Sequence, residues 1–249
     1  MRLMVRVIEG DWGGADPRDV EAVALSTGAA FLPVVDDGES IGIALEATAS
    51  ENDTPLTLPR LNDAGEFVVR VAIRGNLWAR LAFQFGHEFC HVLADPRTWV
   101  ADRFAWIEEC LCETAALFVL RDMANVWAAA PPYPHWRGYS FSLAGYASER
   151  IADAAHCLSP GLQLNDWLNE RHPLLEADPF RREDNTIIAK ELLPVFEADR
   201  AAWRVVRHLH GSPRSTTMSL AQFMDGWRSS CPGELRVAVA SIARVLGIA

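Results

Sequence analysis

Apolar positions follow two different periods along the chain. Alternation comes first: Leu3, Val5 and Val7 predict a strand over residues 2–8. Gly10 to Gly14 reads as a turn. Asp16-Pro17, an N-cap followed by proline at the first helical position, opens a helix expected to reach about Phe31. A strand over 41–47 follows the Asp36-Asp37-Gly38-Glu39 turn, and Leu56-Thr57-Leu58 is a further extended piece. After the Asn62–Gly65 turn, Phe67, Val69, Val71 and Ile73 fall on one face of a strand over 67–74, with Val68, Arg70, Ala72 and Arg74 on the other. At Trp78 the period lengthens. Trp78, Leu81, Ala82, Phe85, Phe89, Val92 and Leu93 predict a largely buried helix that ends at Asp95-Pro96. A second strongly apolar helix is expected from about Asp102 to Ala130, where Pro131-Pro132-Tyr133-Pro134 stops it. Further helices are expected near 143–157, 161–171, 185–208 (with Pro194 as a candidate break), 219–229 and 233–246. The pattern is α+β, with residues 1–130 forming a lobe of small sheet and helices and residues 131–249 an all-helical lobe.

The first apolar helix carries His87-Glu88-Phe89-Cys90-His91, an HExxH. Histidines four residues apart project from one helix face, and Glu88 lies about 100° round from His87. Two neutral nitrogen ligands and an adjacent carboxylate base suit a hydrolytic zinc site. The motif fixes only three positions, so coincidence and packing compete with this reading until a third ligand is found. The second helix reads Glu108-Glu109-Cys110-Leu111-Cys112-Glu113, with carboxylates where a core helix normally has none. Buried carboxylates need a partner or a metal. Glu109 and Glu113 share a face, and Glu108 is expected to point elsewhere. A short connection over 95–102 would turn that shared face toward the two histidines.

With both elements present, the sequence resembles the gluzincin zinc metallopeptidases, which carry HExxH on one helix and a glutamate ligand on the next. The second element is similar to the thermolysin-type ExxxD pattern and to the ExxAN of ImmA/IrrE-type metallopeptidases, standing here as Glu109-Cys110-Leu111-Cys112-Glu113. The resemblance implies a zincin-like N-terminal lobe, in which a small twisted sheet supports the active-site helix and the glutamate helix, with the helical lobe closing the cleft. It implies one zinc ion per chain held by His87, His91 and Glu109, with Glu88 as general base and Glu113 hydrogen-bonding a ligand histidine. Glu113 departs from the usual Asp or Asn, and Cys90 stands where a small residue is common. The likeness covers roughly residues 67–120. It further implies an edge strand that pairs with an extended peptide, and a Tyr or His from the helical lobe that stabilises the oxyanion. Tyr139, Tyr146, His135, His208 and His210 are candidates for that role, with Tyr146 favoured.

Composition adds exclusions. The 249 residues carry a formal net charge of −10 with a single lysine, Lys190. With no basic run, nucleic acid and anionic membrane are not the expected partners; a peptide or protein substrate is. No charge-free apolar stretch is long enough to span a membrane, and the start does not read as a signal peptide. Five cysteines without a paired framework fit a reducing compartment, so a cytoplasmic location is expected. Cys90, Cys110 and Cys112 read as small buried thiols, with zinc ligation as the alternative. Arg181, Arg182 and Asn185 read as helix capping and surface charge. Trp136, Trp167, Trp203 and Trp227 read as core anchors. The expected activity is peptide hydrolysis by a zinc-activated water. Two alternatives stand beside it: a degenerate gluzincin using the metal structurally or as a sensor, and a metal-free helical binding protein.

Overall fold

The computed structural model describes residues 2–31 and 40–248; the expected Asp36–Glu39 turn lies outside the described residues. Four strands, β1 (Arg2–Val7), β2 (Ser40–Ala47), β3 (Leu56–Leu61) and β4 (Phe67–Val71), form one sheet in the order β1-β2-β4-β3. β1, β2 and β4 are parallel, with Val5 opposite Ile43 and Leu45 opposite Val69. β3 runs antiparallel to β4 and forms one edge of the sheet. Pro59 sits within β3, as the missing N–H of proline permits on an edge. The helix α1 (Pro17–Ala29) packs on β1, and its N-cap Asp16 accepts from the Arg18 N–H.

Helix α2 spans Trp78–Ala94, the range that the apolar spacing predicts. It stops because Asp95 takes a left-handed conformation (φ 65°), its N–H bonding back to Val92 O. The Asp95 carboxylate then caps the 3-10 turn Pro96–Thr98. Helix α3 (Ala105–Ala129) begins slightly later than expected. It is buried on every side through its first sixteen residues, as a central helix is. It packs against α2, and also against α4 (Tyr139–Ala152) and α6 (Arg182–Ala198). Gly86 sets the closeness of α2 to α3: a Cβ there would stand 2.6 Å from Val119 Cγ2. That close approach, one residue before His87, brings histidines and glutamates within reach of each other.

The structure is α+β and mostly helical. Helix boundaries in the C-terminal part differ from expectation, α4 spanning Tyr139–Ala152 in place of 143–157. α5 (Leu164–Ala177) runs past Arg171, and α6 continues through Pro194 to end at Asp199, which caps the 3-10 segment Arg200–His208. Burial of Leu192, Leu193 and Phe196 outweighs the single backbone donor that Pro194 lacks. α7 (Leu220–Ser230) opens on a Ser219–Gln222 capping box, and α8 (Arg236–Val245) follows. One apolar core runs from the sheet into these helices: Phe31 meets Phe89, Phe118 and Trp203, and Trp203 stacks on Phe196 at 3.9 Å. Trp136, Trp167, Trp203 and Trp227 are all buried within it.

Candidate metal centre

The antiparallel packing of α2 on α3 joins the two motifs at the floor of a cleft of about 940 Å³. Its walls come from β3 (Leu56, Thr57, Pro59), from α4 (Tyr146, Arg150) and from the start of α6 (Arg182, Asn185). Glu109 stands between the two histidines. Its Oε2 lies 3.4 Å from His87 Nε2 and its Oε1 3.5 Å from His91 Nε2. Donor atoms bound at about 2.0–2.1 Å to one tetrahedral zinc stand roughly 3.3–3.4 Å apart; each histidine comes near that separation, but from a different Glu109 oxygen.

The opposite ring nitrogens are also held. Glu113 Oε2 lies 3.6 Å from His87 Nδ1, while its Oε1 accepts from Arg150 Nη2 at 2.7 Å and from the Thr186 hydroxyl at 2.8 Å. Glu108 does not point elsewhere, contrary to the expectation from helix phase. Its Oε1 is 2.7 Å from His91 Nδ1, because an imidazole presents two nitrogens on different sides and the neighbouring carboxylates of α3 take one side each. Glu108 carried the same sequence signal as Glu109, an acid in an apolar helix. Arg150 and Thr186 gave none, being distant in sequence from either motif.

Both sequence readings of Cys112 keep support: it is buried in the core, and its thiol is close to the histidines. His87, His91 and Cys112 form a group with ligand atoms within 4.8 Å of one another, and such a group can hold a metal ion. Cys90, Cys110 and Cys112 are all buried free thiols. Burial, and then the neighbouring Cys90, push the Cys112 thiol well above its usual range. Cys110 donates to Asn185 Oδ1 at 3.5 Å, which accounts for it structurally.

Charge favours a cation here. Glu88, Glu108, Glu109 and Glu113 are all buried, and Arg150 neutralises Glu113. Burial by itself would raise the carboxyls of Glu108 and Glu113. The imidazoles beside them, His210 and His91 for Glu108 and His87 together with Arg150 for Glu113, outweigh burial and bring each down to about 2. Burial would likewise lower the histidines, but the surrounding carboxylates raise His91 to about 9 and His87 well above its usual range. Without a metal, the carboxylates draw protons onto the histidines. A dication in their place would supply the same countercharge while leaving the imidazoles neutral.

Glu88 lines the cleft, and its Oε2 accepts from the Thr57 hydroxyl at 2.9 Å. Of the five residues considered for the oxyanion, Tyr146 lines the cleft, edge-on to Phe83. His210 instead lies behind Glu108, with Nε2 at 2.9 Å from Glu108 Oε2. His135 stacks on Tyr133, and Tyr139 packs against Trp136. Arg181 pairs with Asp184, and Asn185 Nδ2 donates to Pro179 O, so both serve the start of α6, while Arg182 faces the cleft. Among the described residues, no helix is long and apolar enough to cross a membrane. No protein-family model, curated protein or solved structure matches the chain.

Proposed function

We propose that this protein is a zinc-dependent metallopeptidase, with one zinc per chain held by His87, His91 and Glu109. The observation that carries the reading is the Glu109 carboxylate, set 3.4 Å and 3.5 Å from the two histidine Nε2 atoms. The donor set of two imidazoles and one carboxylate is one that catalytic zinc uses, leaving a position for water. When bound, zinc would lower the pKa of that water toward neutrality and polarise a substrate carbonyl.

The chain's own residues would do the rest. Glu88 accepts a proton from water at the carboxylate oxygen that Thr57 leaves open, then delivers it to the leaving amine. Tyr146 donates a hydrogen bond to the carbonyl oxygen as charge develops on it. β3, an edge strand on the cleft, offers backbone groups to an extended peptide. Glu108 holds the Nδ1–H of His91, and Glu113 faces Nδ1 of His87 from 3.6 Å, so that each Nε2 lone pair is turned toward Glu109.

A second reading rests on Cys112. If its thiolate joined the histidines and Glu109, coordination would be closed and the metal structural or sensory. The test of the first reading is metal analysis of protein purified without a histidine tag, followed by peptide cleavage with wild type and E88Q. Near-stoichiometric zinc in both proteins and turnover in wild type alone is the expected result. Absence of zinc, or equal cleavage by E88Q, would overturn it.

A further inference from the structure

His210 and Arg214 have no place in the chemistry above, yet they form a line of polar contacts that ends on a proposed ligand. Arg214 Nη1 pairs with Asp102 Oδ2 at 2.7 Å, and Arg214 Nη2 stands 2.7 Å from His210 Nδ1. On the far side of that ring, His210 Nε2 is 2.9 Å from Glu108 Oε2. The two atoms are close but not aligned as a hydrogen bond, and neither has another hydrogen-bond partner among the described residues, so each is the polar group left to satisfy the other. Glu108 Oε1 then reaches His91 Nδ1 at 2.7 Å. The line is nearly dry: the His210 side chain is 6% exposed and that of Glu108 2%.

The direction of every hydrogen bond along it follows from the first. A guanidinium has five donors and no acceptor, so His210 Nδ1 must offer a lone pair to Arg214. The ring proton is then on Nε2, on the side where Glu108 Oε2 stands 2.9 Å away. A carboxylate only accepts, so Glu108 Oε1 takes the proton of His91 Nδ1. The lone pair of a neutral His91 is left on Nε2, the nitrogen facing Glu109. We propose that His210 and Arg214 are positioning residues for His91: fixed by Asp102, they set the polarity of the Arg214–His210–Glu108–His91 line and hold the His91 Nε2 lone pair toward the metal. The inference rests on the metal reading above. It adds that a segment well outside both motifs governs how tightly the site keeps its ion.

Three measurements test it. In metal-free wild type, nitrogen NMR of labelled histidine should find the His210 ring proton on Nε2 and Nδ1 bare; a proton on Nδ1 would overturn the proposal. Zinc affinity, read by competition with a chromophoric chelator, should fall by roughly 10–100-fold in H210L. The visible spectrum of cobalt-substituted H210L should shift with it. H210Q places an amide N–H near the position of Nε2 and should recover most of the loss. Wild-type affinity and spectrum in H210L, or equal losses in H210L and H210Q, would overturn it. Should wild type take up no zinc at all, the metal reading falls, while an Nε2-protonated His210 would still establish the polarity of the line in the same protein.

Discussion

The Thr57 hydroxyl on the edge strand lies 2.9 Å from Glu88 Oε2 and 3.1 Å from the Glu88 carbonyl oxygen. The strand proposed to bind substrate therefore also fixes the rotamer of the proposed base. A hydrogen bond to a charged group contributes about 1.5–3 kcal/mol, or about tenfold and upward in rate if it holds the base in its working geometry. T57V should lower kcat by about tenfold with zinc content unchanged, and T57S should restore it. Steady-state kinetics beside metal analysis checks this; an unchanged kcat in T57V would show that Glu88 needs no anchor.

Buried Glu113 pairs with the partly buried Arg150, whose guanidinium also lies 4.7 Å from the centre of the Phe83 ring. Removing one partner leaves an uncompensated charge. R150M should cost about 3–5 kcal/mol of stability, measured by urea unfolding of the metal-free protein. The double variant R150M/E113Q should recover part of that loss, because the stranded carboxylate is gone.

Stability of the metal-free protein should fall on both sides of weakly acidic pH. Glu108 and Glu113 sit at about 2 when folded against an ordinary 4.5. Their contribution is complete above about 4.5 and is lost as pH falls through about 2. His91 sits at about 9 against an ordinary 6.5. Its contribution is complete below 6.5 and is lost as pH rises through 9. Melting temperatures of chelator-treated protein should therefore peak between the two ordinary values. Added zinc should raise the alkaline side most, since the metal competes with protons that are already leaving there.

How much of this was legible in sequence depended on whether the signal was local. Trp78–Ala94 could be read residue for residue because one apolar stripe and one stop at Asp95-Pro96 define it. His87, His91, Glu109 and Glu113 could be placed together because fixed spacings put them on single helix faces. Glu108 was misjudged because helix phase locates a Cβ, whereas a glutamate side chain is long enough to reach round the helix to the second nitrogen of an imidazole. Thr57, Arg150, Thr186 and His210 come from four other segments, and only the packing of β3 on α2, and of α4, α6 and the chain beyond the Arg200–His208 segment around α3, brings them to the glutamates of the two motifs. Pro194 misled for a related reason. The tertiary burial of its neighbours is invisible in a local rule about proline.

Glu109 and Cys112 compete for the third position, and their ordinary chemistry separates them. A ligand must be deprotonated before it binds. Glu109 is already anionic, its carboxyl held below the usual range by the two histidines against the opposing effect of burial. The Cys112 thiol is fully buried and pushed far the other way, so ionising it requires the metal to overcome that desolvation. Glu109 also lies open to the cleft, where a substrate carbonyl would arrive. E109Q should therefore lose zinc affinity by more than the roughly 10–100-fold typical of outer contacts. C112S should keep the metal, and cobalt-substituted wild type should lack the near-ultraviolet charge-transfer band that thiolate coordination gives. If C112S released the ion while E109Q held it, the thiolate would be the third ligand. The donor set of His87, His91 and Cys112 would still leave a fourth position for water, and Glu109 would be a buried carboxylate beside the site rather than a ligand.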